Sequence, residues 1–159
     1  METGLDAPSS ARREFEIRRV QTQQELADAV ELRYRVFCVE QGVPASEERD
    51  GRDHDALHLI AVEGETVIGT CRLVFVGSTV QFSRLAVVRA ARRQGIATAL
   101  LQAADEETFK GGANRLVLHA QTYARALYTG AGYQPRGREF TEAGIEHVAM
   151  EKLLDGRRR

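Results

Sequence analysis

The sequence predicts an α/β (α+β) fold in which a mixed β-sheet of six to seven strands carries helices on both faces. The first observation is the order of the predicted elements, β-α-β-β-β-α-β-α-β, which combines neighbouring strands with helical crossovers. The second is a short basic turn between a strand and a long helix, within residues 84–101. The third is a length of 159 residues with 43% hydrophobic side chains, enough for one buried core.

The predicted domain begins with a short strand and a helix. Residues 15–20 form the strand-like stretch. Thr22-x-x-Glu25 is a capping-box pattern, which predicts a helix start because both side chains can satisfy free backbone N–H groups. Three apolar side chains then follow on one helical face: Leu26, Val30 and Tyr34.

The later elements are separated by turn residues. A loop at residues 41–55 precedes a hairpin of strands 57–62 and 67–76, joined through Glu63-Gly64-Glu65. The remaining predicted elements are strand 80–87, helix 96–109 ended by two glycines, strand 116–118, helix 124–129 and strand 148–153.

The central strand changes its alternation partway. Val80 and Phe82 occupy even positions, whereas Leu85 and Val87 occupy odd ones. A bulge near residues 83–84 would keep all four on one face, and we predict that bulge. The alternative is a strand buried on both faces, where parity carries no information. A bulge frees backbone groups that a linear, amide-bearing ligand could pair with.

The turn after this strand has the features of a phosphate site. The first N–H groups of a helix have no intrahelical partner, and the macrodipole is positive there. Gly95 and Ala97 leave room for a ligand, and Arg92 and Arg93 add positive charge. The spacing matches neither a Walker loop nor a G-x-G-x-x-G motif. The alternative is ordinary packing of small residues at a helix start.

Four sequence blocks together resemble the GNAT superfamily of N-acetyltransferases. They are Leu85-Ala86-Val87 with Arg92-x-x-Gly95-x-Ala97, then residues 124–133, 33–44 and 139–150. The first two resemble the acetyl-CoA-binding core and a later A-x-x-F-Y-x-x-x-G-F segment, in which Leu127 replaces the phenylalanine and Tyr133 the final aromatic residue. The other two resemble the ElaA-type branch. The likeness covers residues 15–153 and implies a GNAT fold with acetyl-CoA as cosubstrate.

The resemblance also implies which residues bind acetyl-CoA. They are Leu85, Ala86, Val87, Arg92, Arg93, Gln94, Gly95, Ile96, Ala97, Thr98, Gln121 and Tyr128. Gln121 could equally be a polar residue leaving a strand. Tyr128 matches the family tyrosine near the CoA sulfur, where a phenol can protonate the thiolate or hydrogen-bond to it. The alternative for Tyr128 is packing in the core.

The implied reaction is direct attack of a primary amine on the thioester in a ternary complex. An alkylammonium has a pKa near ~10.4, so it must lose a proton on the enzyme. The central strand offers Gln81 and Ser83, neither a useful base. We expect Glu40 first, as an acceptor-binding carboxylate, His147 second, as a base, and His119 third. With the tyrosine, Glu40 and His147 form the expected catalytic set.

The loop around residues 40–55 is rich in acids. They are Glu40, Glu47, Glu48, Asp50, Asp53 and Asp55, offset only by Arg49 and Arg52. Such a run is usually a solvated loop. If it borders the acceptor pocket, it would favour a cationic amine.

Two rival functions stay open. Arg33-x-x-Val36-Phe37 resembles acyl-homoserine-lactone synthases, which normally carry a tryptophan soon afterwards, and this chain has none. A non-catalytic CoA-binding or regulatory module would share the same cofactor motif.

Other reactive residues favour structural interpretations. His54 and His58 have i, i+4 spacing beside Asp53 and Asp55, but solvated loop residues are favoured and no metal site is predicted. Cys38 lies in an apolar stretch, which favours packing over nucleophilic chemistry.

Composition bounds the partners and the compartment. A net charge of −1 gives no argument for nucleic acid or a membrane surface, so we expect a small-molecule or protein amine and a monomer or homodimer. Two cysteines make no disulfide framework, and no apolar run reaches ~20 residues, so we expect a cytoplasmic protein. The predicted organisation is a flexible tail at 1–13, one domain at 14–155 and a basic tail at 156–159.

Overall fold

A computed structural model describes residues 13–154. The strands are β1 (Glu16–Arg19), β2 (Leu57–Glu63), β3 (Thr66–Val76), β4 (Thr79–Val87), β5 (Arg115–Gln121), β6 (Gln134–Glu142) and β7 (Ile145–Leu153). The α-helices are α1 (Gln23–Arg33), α2 (Ala45–Glu48), α3 (Ile96–Lys110) and α4 (Arg125–Gly130). A π-helix (Tyr34–Glu40) continues α1, and 3-10 turns occupy Asp53–Asp55, Arg89–Ala91 and Thr122–Ala124.

The seven strands form one mixed sheet in the order β1-β2-β3-β4-β5-β7-β6. Only β4 and β5 are parallel neighbours, and they pair from Thr79 opposite Arg115 to Gln81 opposite Val117. Beyond these three residue pairs the two strands are not paired, so the second half of β4 presents an unpaired edge. The predicted mixed sheet is confirmed.

The predicted bulge in β4 is confirmed. Thr70 lies opposite Ala86 and Arg72 lies opposite Ser83, so two β4 residues face Cys71 alone. One of them, Arg84, has φ of +60°. The bulge keeps the four apolar residues on one face, as predicted: Val80 and Phe82 are in the main core, and Leu85 and Val87 pack against it.

Helices cover both faces of the sheet. On one face α3 packs closely, and a Cβ at Gly69 of β3 would meet Ile96 Cγ2 at 2.9 Å. On the other face, Ala29 of α1 packs with Ile60 and Val62 of β2. Helix α1 therefore covers only part of that face, and the surface over β5, β7 and β6 stays open as a cleft.

The first helix begins as predicted but faces the sheet differently. The Thr22 hydroxyl accepts a hydrogen bond from the Glu25 N–H at 3.0 Å, which confirms the capping pattern. The buried stripe is Ala29, Leu32, Arg33 and Val36. The predicted apolar face is not the buried one, since Leu26 and Val30 are half-buried and Tyr34 is 48% exposed.

The sequence missed β6, which pairs with β7 at the edge of the sheet. All of β6 except Phe140 is exposed, so no apolar alternation marks it. The predicted tails at 1–13 and 156–159 lie outside the described residues, apart from Arg13. None of the helices within residues 13–154 is long and apolar enough to cross a membrane.

Candidate active site

A cleft of about 920 Å³ opens where β4 and β5 separate. The second half of β4 forms one wall, including Ser83 to Val87, and the end of β5 forms the other. The π-helix and the α2 segment border it on one side, and Tyr128 of α4 on the other. The cleft therefore exists because the parallel pairing stops after Gln81.

The basic turn, residues 89–95, joins the β4 wall to α3. Gly95 is the residue before the helix and has φ of +87°, and Arg93 has φ of +64°. A Cβ at Gly95 would meet no atom within 4 Å, so the backbone angle is what favours glycine. No described side chain caps α3, so the N–H groups of residues 96–98 are available to an anion.

Arg92 is held within the protein. Its Nε donates to the Val87 carbonyl and its Nη2 to Glu40 Oε1, each at 2.8 Å. Arg89 Nη2 lies 3.8 Å from the same Glu40 oxygen. Glu40, which the sequence suggested for acceptor binding, thus lies beside the basic turn and still lines the cleft.

Arg13 also holds the basic turn. Its Nε donates to Gln94 Oε1 at 3.0 Å, and its Nη2 to the Ala90 carbonyl at 3.3 Å. Its Nη1 pairs with Glu63 at 2.8 Å. Arg13, assigned to the tail from the sequence, therefore contacts the domain through three hydrogen bonds.

Gln121 reaches across the cleft. Its Nε2 donates to Gln41 Oε1 at 2.8 Å, and Gln41 Nε2 donates to the Tyr123 hydroxyl at 3.1 Å. Because Gln41 follows the π-helix and Gln121 ends β5, these bonds join the two sides of the cleft.

Tyr128 lies in the wall of the cleft with only 9% of its surface exposed. Its ring packs edge-on against Phe82 and Tyr133, with centroid distances of 6.5 and 6.0 Å. Burial raises the pKa of the Tyr128 phenol far above its usual value, so the phenol is protonated at neutral pH.

An ionic cluster of six side chains lies beneath the β4 bulge. Its members are Arg33, Arg72, Arg84, Glu48, Asp50 and Asp53. Arg33 and Glu48 are 1% and 3% exposed and meet at 2.6 Å. Arg72 pairs with both aspartates, at 2.8 and 3.0 Å. Three positive and three negative charges balance, so the acid-rich loop adds little net charge here.

The cluster also fixes the bulge and the α2 segment to each other. Arg84 Nη2 donates to the Glu48 carbonyl at 2.9 Å and to Asp50 at 3.2 Å. Hydrogen bonds from Arg72 lower the pKa of Asp50 well below its usual range. Burial opposes ionisation of Asp53, but hydrogen bonds from Arg33 and Arg72 outweigh it and lower the pKa of that group.

The two histidines predicted near the acceptor have different surroundings. His147 is 8% exposed, lines the cleft and hydrogen-bonds through Nδ1 to the Ile145 carbonyl at 2.7 Å. His119 is exposed, with Nδ1 2.8 Å from Glu142 Oε1. Phe140 packs against both rings.

A second set of charges lines the cleft on the β5–β7–β6 surface, and the sequence did not single it out. Arg115 Nε and Arg136 Nη1 both donate to Glu151 Oε1, at 3.0 and 2.5 Å. The three residues come from three different strands. Only the sheet register brings them together.

The two loop histidines and Cys38 make contacts within the protein and do not line the cleft. His54 pairs with Asp55 at 3.4 Å, and buried His58 hydrogen-bonds to the Asp53 carbonyl at 2.8 Å. No group of His, Cys, Asp and Glu within residues 13–154 is arranged to hold a metal ion. Cys38 is half-buried, and burial raises the pKa of its thiol.

Comparison with known proteins shows which family this chain resembles. A model described as the acetyltransferase (GNAT) domain matches residues 18–154. The uncharacterized N-acetyltransferase YjcF of Bacillus subtilis is 33% identical over 131 residues, 82% of this chain and 94% of that protein. The crystal structure of an acyl-CoA N-acyltransferase from Pseudomonas aeruginosa is 26% identical with a TM-score of 0.77, covering 87% and 99% of the two chains.

The structure of Escherichia coli ElaA has the same fold. It is 22% identical with a TM-score of 0.77, covering 87% of this chain and 98% of that one. Together with the family match, these likenesses confirm the superfamily that the four sequence blocks predicted.

Proposed function

The chain belongs to the GNAT family of acetyltransferases, and from that premise we propose that it transfers the acetyl group of acetyl-CoA to a primary amine. The observation that carries the proposal is the cleft itself, in which the unpaired edge of β4 leads directly to the uncapped start of α3. A ligand with a linear amide-bearing arm and a pyrophosphate matches both features.

The donor would bind along β4 and the basic turn. Backbone groups freed at the bulge would pair with the pantetheine amides, and the N–H groups of residues 96–98 would bind the pyrophosphate. Gly95 keeps the approach open, and Arg93 is exposed beside it. Arg92, held by Val87 and Glu40, would act by fixing the shape of the turn.

Tyr128 would stabilise the leaving thiolate by hydrogen bonding. Burial raises the pKa of this phenol far above that of an ordinary thiol, which is about 8.5. Burial makes the Tyr128 phenol a weaker acid, which favours a hydrogen bond to the developing charge over complete proton transfer. Of the two roles considered for this residue, donation without transfer is better supported.

His147 is the better-supported base for the acceptor amine. A carbonyl oxygen can only accept a hydrogen bond, so His147 Nδ1 must carry its proton, and Nε2 of the neutral ring is free to accept one. Glu40 is paired with Arg92, and His119 with Glu142. We therefore rank His147 first, and direct attack in a ternary complex follows as the simplest mechanism.

Thiol release from acetyl-CoA, measured over a panel of amines, tests the proposal. We expect turnover with at least one amine, and Tyr128→Phe should lower kcat by ~10²–10³-fold because one donor to the developing charge is lost. Tyr34→Phe is the matched control, since Tyr34 is 48% exposed and does not line the cleft. CoA binding without turnover on any amine would instead support a non-catalytic CoA-binding module.

A further inference from the structure

We infer that Arg115 and Arg136 form an anion-binding subsite in the acceptor part of the cleft, so that the acceptor is an amine that also carries a carboxylate. This inference rests on the proposed function, because it names the substrate class of the same cleft. Both arginines and Glu151, the carboxylate between them, line the cleft.

The sheet register aims the three side chains at the same surface. Glu151 of β7 lies opposite Val117, and Arg136 of β6 lies opposite Ala149. Residues two apart on a strand share a face, so Arg115 lies on the face of Val117, and Glu151 lies on that of Ala149. That face is the one on which His147 lies.

The charges at this place do not balance. Arg115 reaches Glu151 Oε1 through Nε at 3.0 Å and Nη2 at 2.9 Å, and Arg136 reaches the same oxygen at 2.5 Å. Two guanidinium groups thus converge on one carboxylate and leave a net charge of about +1. The planar guanidinium fork suits a second carboxylate, which would also relieve the repulsion between the two cations.

The ionic cluster, at the other end of the cleft, gives no preference for a positively charged acceptor. The ionic cluster beneath the bulge is neutral, because three arginines offset Glu48, Asp50 and Asp53. The acid-rich loop therefore gives no strong reason for the cationic amine that the sequence suggested for a loop bordering the acceptor pocket. On this face Arg115 and Arg136 converge on one carboxylate, Glu151, whereas the cleft-lining Glu142 lies apart from them and is paired with His119.

The strand spacing gives the length of the acceptor. His147 and Glu151 are four residues apart on β7, which corresponds to about 13 Å along the strand. An amine that is hydrogen-bonded to His147 can lie nearer to Glu151 than His147 does, by the length of that hydrogen bond. The carboxylate of the acceptor should therefore lie ~10–13 Å from its amine.

Matched acceptors test the inference. We compare 8-aminooctanoate with octylamine and 1,8-diaminooctane, and tetraglycine with its C-terminal amide, using thiol release from acetyl-CoA. The first set represents a free amino acid and the second a peptide end. We expect a carboxylate-bearing acceptor in at least one set to have the higher kcat/KM.

Two variants connect that preference to the subsite. Arg136→Ala and Arg115→Gln should each raise KM for the preferred carboxylate acceptor by at least ~10-fold, while KM for octylamine and for acetyl-CoA stays unchanged. Arg138→Ala is the control, being exposed on the same strand as Arg136. Thermal melting of each variant shows whether it is folded.

The outcomes separate the two claims. If octylamine or the diamine is used as well as the carboxylate acceptor, or if neither variant changes KM, the subsite is wrong although turnover still supports acetyl transfer. If no amine gives turnover, the proposed function fails. Calorimetry of 8-aminooctanoate and tetraglycine with the CoA-loaded protein then decides the subsite, since binding that Arg136→Ala abolishes supports it and absent binding overturns it.

Discussion

The basic turn and the ionic cluster are both built on arginines, but they use them in opposite ways. In the basic turn the backbone provides the binding groups, because the start of α3 is uncapped and Gly95 leaves it open. In the cluster the contacts are mainly ion pairs between side chains, and Arg33 and Arg72 are almost fully buried. The first arrangement leaves polar groups available to a ligand, and the second leaves them satisfied within the protein.

This difference separates stability from binding. Burying a charge is costly unless a partner compensates it, so removing one member of the cluster exposes the full penalty on the other. The basic turn is exposed, and its ion pair between Arg92 and Glu40 is partly solvated. A change there should alter ligand affinity more than folding. Strand β4 thus joins the ionic cluster at its bulge to the basic turn that follows it.

The largest expected effect is loss of stability in the cluster. Arg33→Met removes the nearer of the two arginines that pair with Glu48, which is 3% exposed, and also removes a partner of Asp53; it should lower the free energy of unfolding by ~3–5 kcal/mol. Arg35→Met is the control, because Arg35 is exposed and lies 3.5 Å from Glu31 in a surface pair. Urea unfolding measures both. Equal losses in the two variants would contradict the contrast between cluster and surface.

The next effect concerns the basic turn and should appear in binding. Gly95→Ala and Gly95→Glu share the backbone strain at φ of +87°, which costs ~1–2 kcal/mol. Only the glutamate adds a negative charge where pyrophosphate would approach. We therefore expect CoA affinity, measured by calorimetry, to be at least ~10-fold weaker for Gly95→Glu than for Gly95→Ala. Similar affinities in both variants would move the phosphate site away from this turn.

The contrast also explains what the sequence could predict. The bulge follows from the parity of four apolar residues on one strand, and the basic turn from the spacing of Arg92, Gly95 and Ala97. Both signals are local. The cluster joins residues 15–36 positions apart, such as Arg33 with Glu48 and Arg84 with Glu48. In the sequence each looks like an ordinary charged residue of a helix, loop or strand.

The sequence also failed to predict the buried face of α1 and the strand β6, because neither is marked by large apolar residues at regular spacing. The buried stripe of α1 uses the small residue Ala29 and continues into the π-helix at Val36, so hydrophobic spacing over one α-helix favoured the wrong face. The edge strand β6 has almost no buried side chain to mark it. Arg136, which lies on that strand, was missed with it.

The smallest effect is the acid dependence of the cluster. The pKa of Asp50 is lowered mainly by hydrogen bonds from Arg72, and in the unfolded chain an aspartate has a pKa of about 3.9. A group whose pKa is depressed on folding contributes stability that is complete above its unfolded pKa and is lost as the pH falls toward its folded pKa. The contribution of Asp50 to the unfolding free energy should therefore be constant above about pH 5 and fall below it.

Asp50→Asn isolates this contribution. We expect the variant to be less stable than wild type at neutral pH and to have a shallower slope below about pH 4, since one proton accounts for at most ~1.4 kcal/mol per pH unit. Asp55→Asn is the control, because Asp55 is exposed and contacts only His54 among the described ion pairs. Gly95→Ala should keep the wild-type slope, because it alters no cluster charge. If Asp50→Asn keeps that slope as well, Asp50 ionises equally in the folded and unfolded states, and the cluster owes its stability to other pairs.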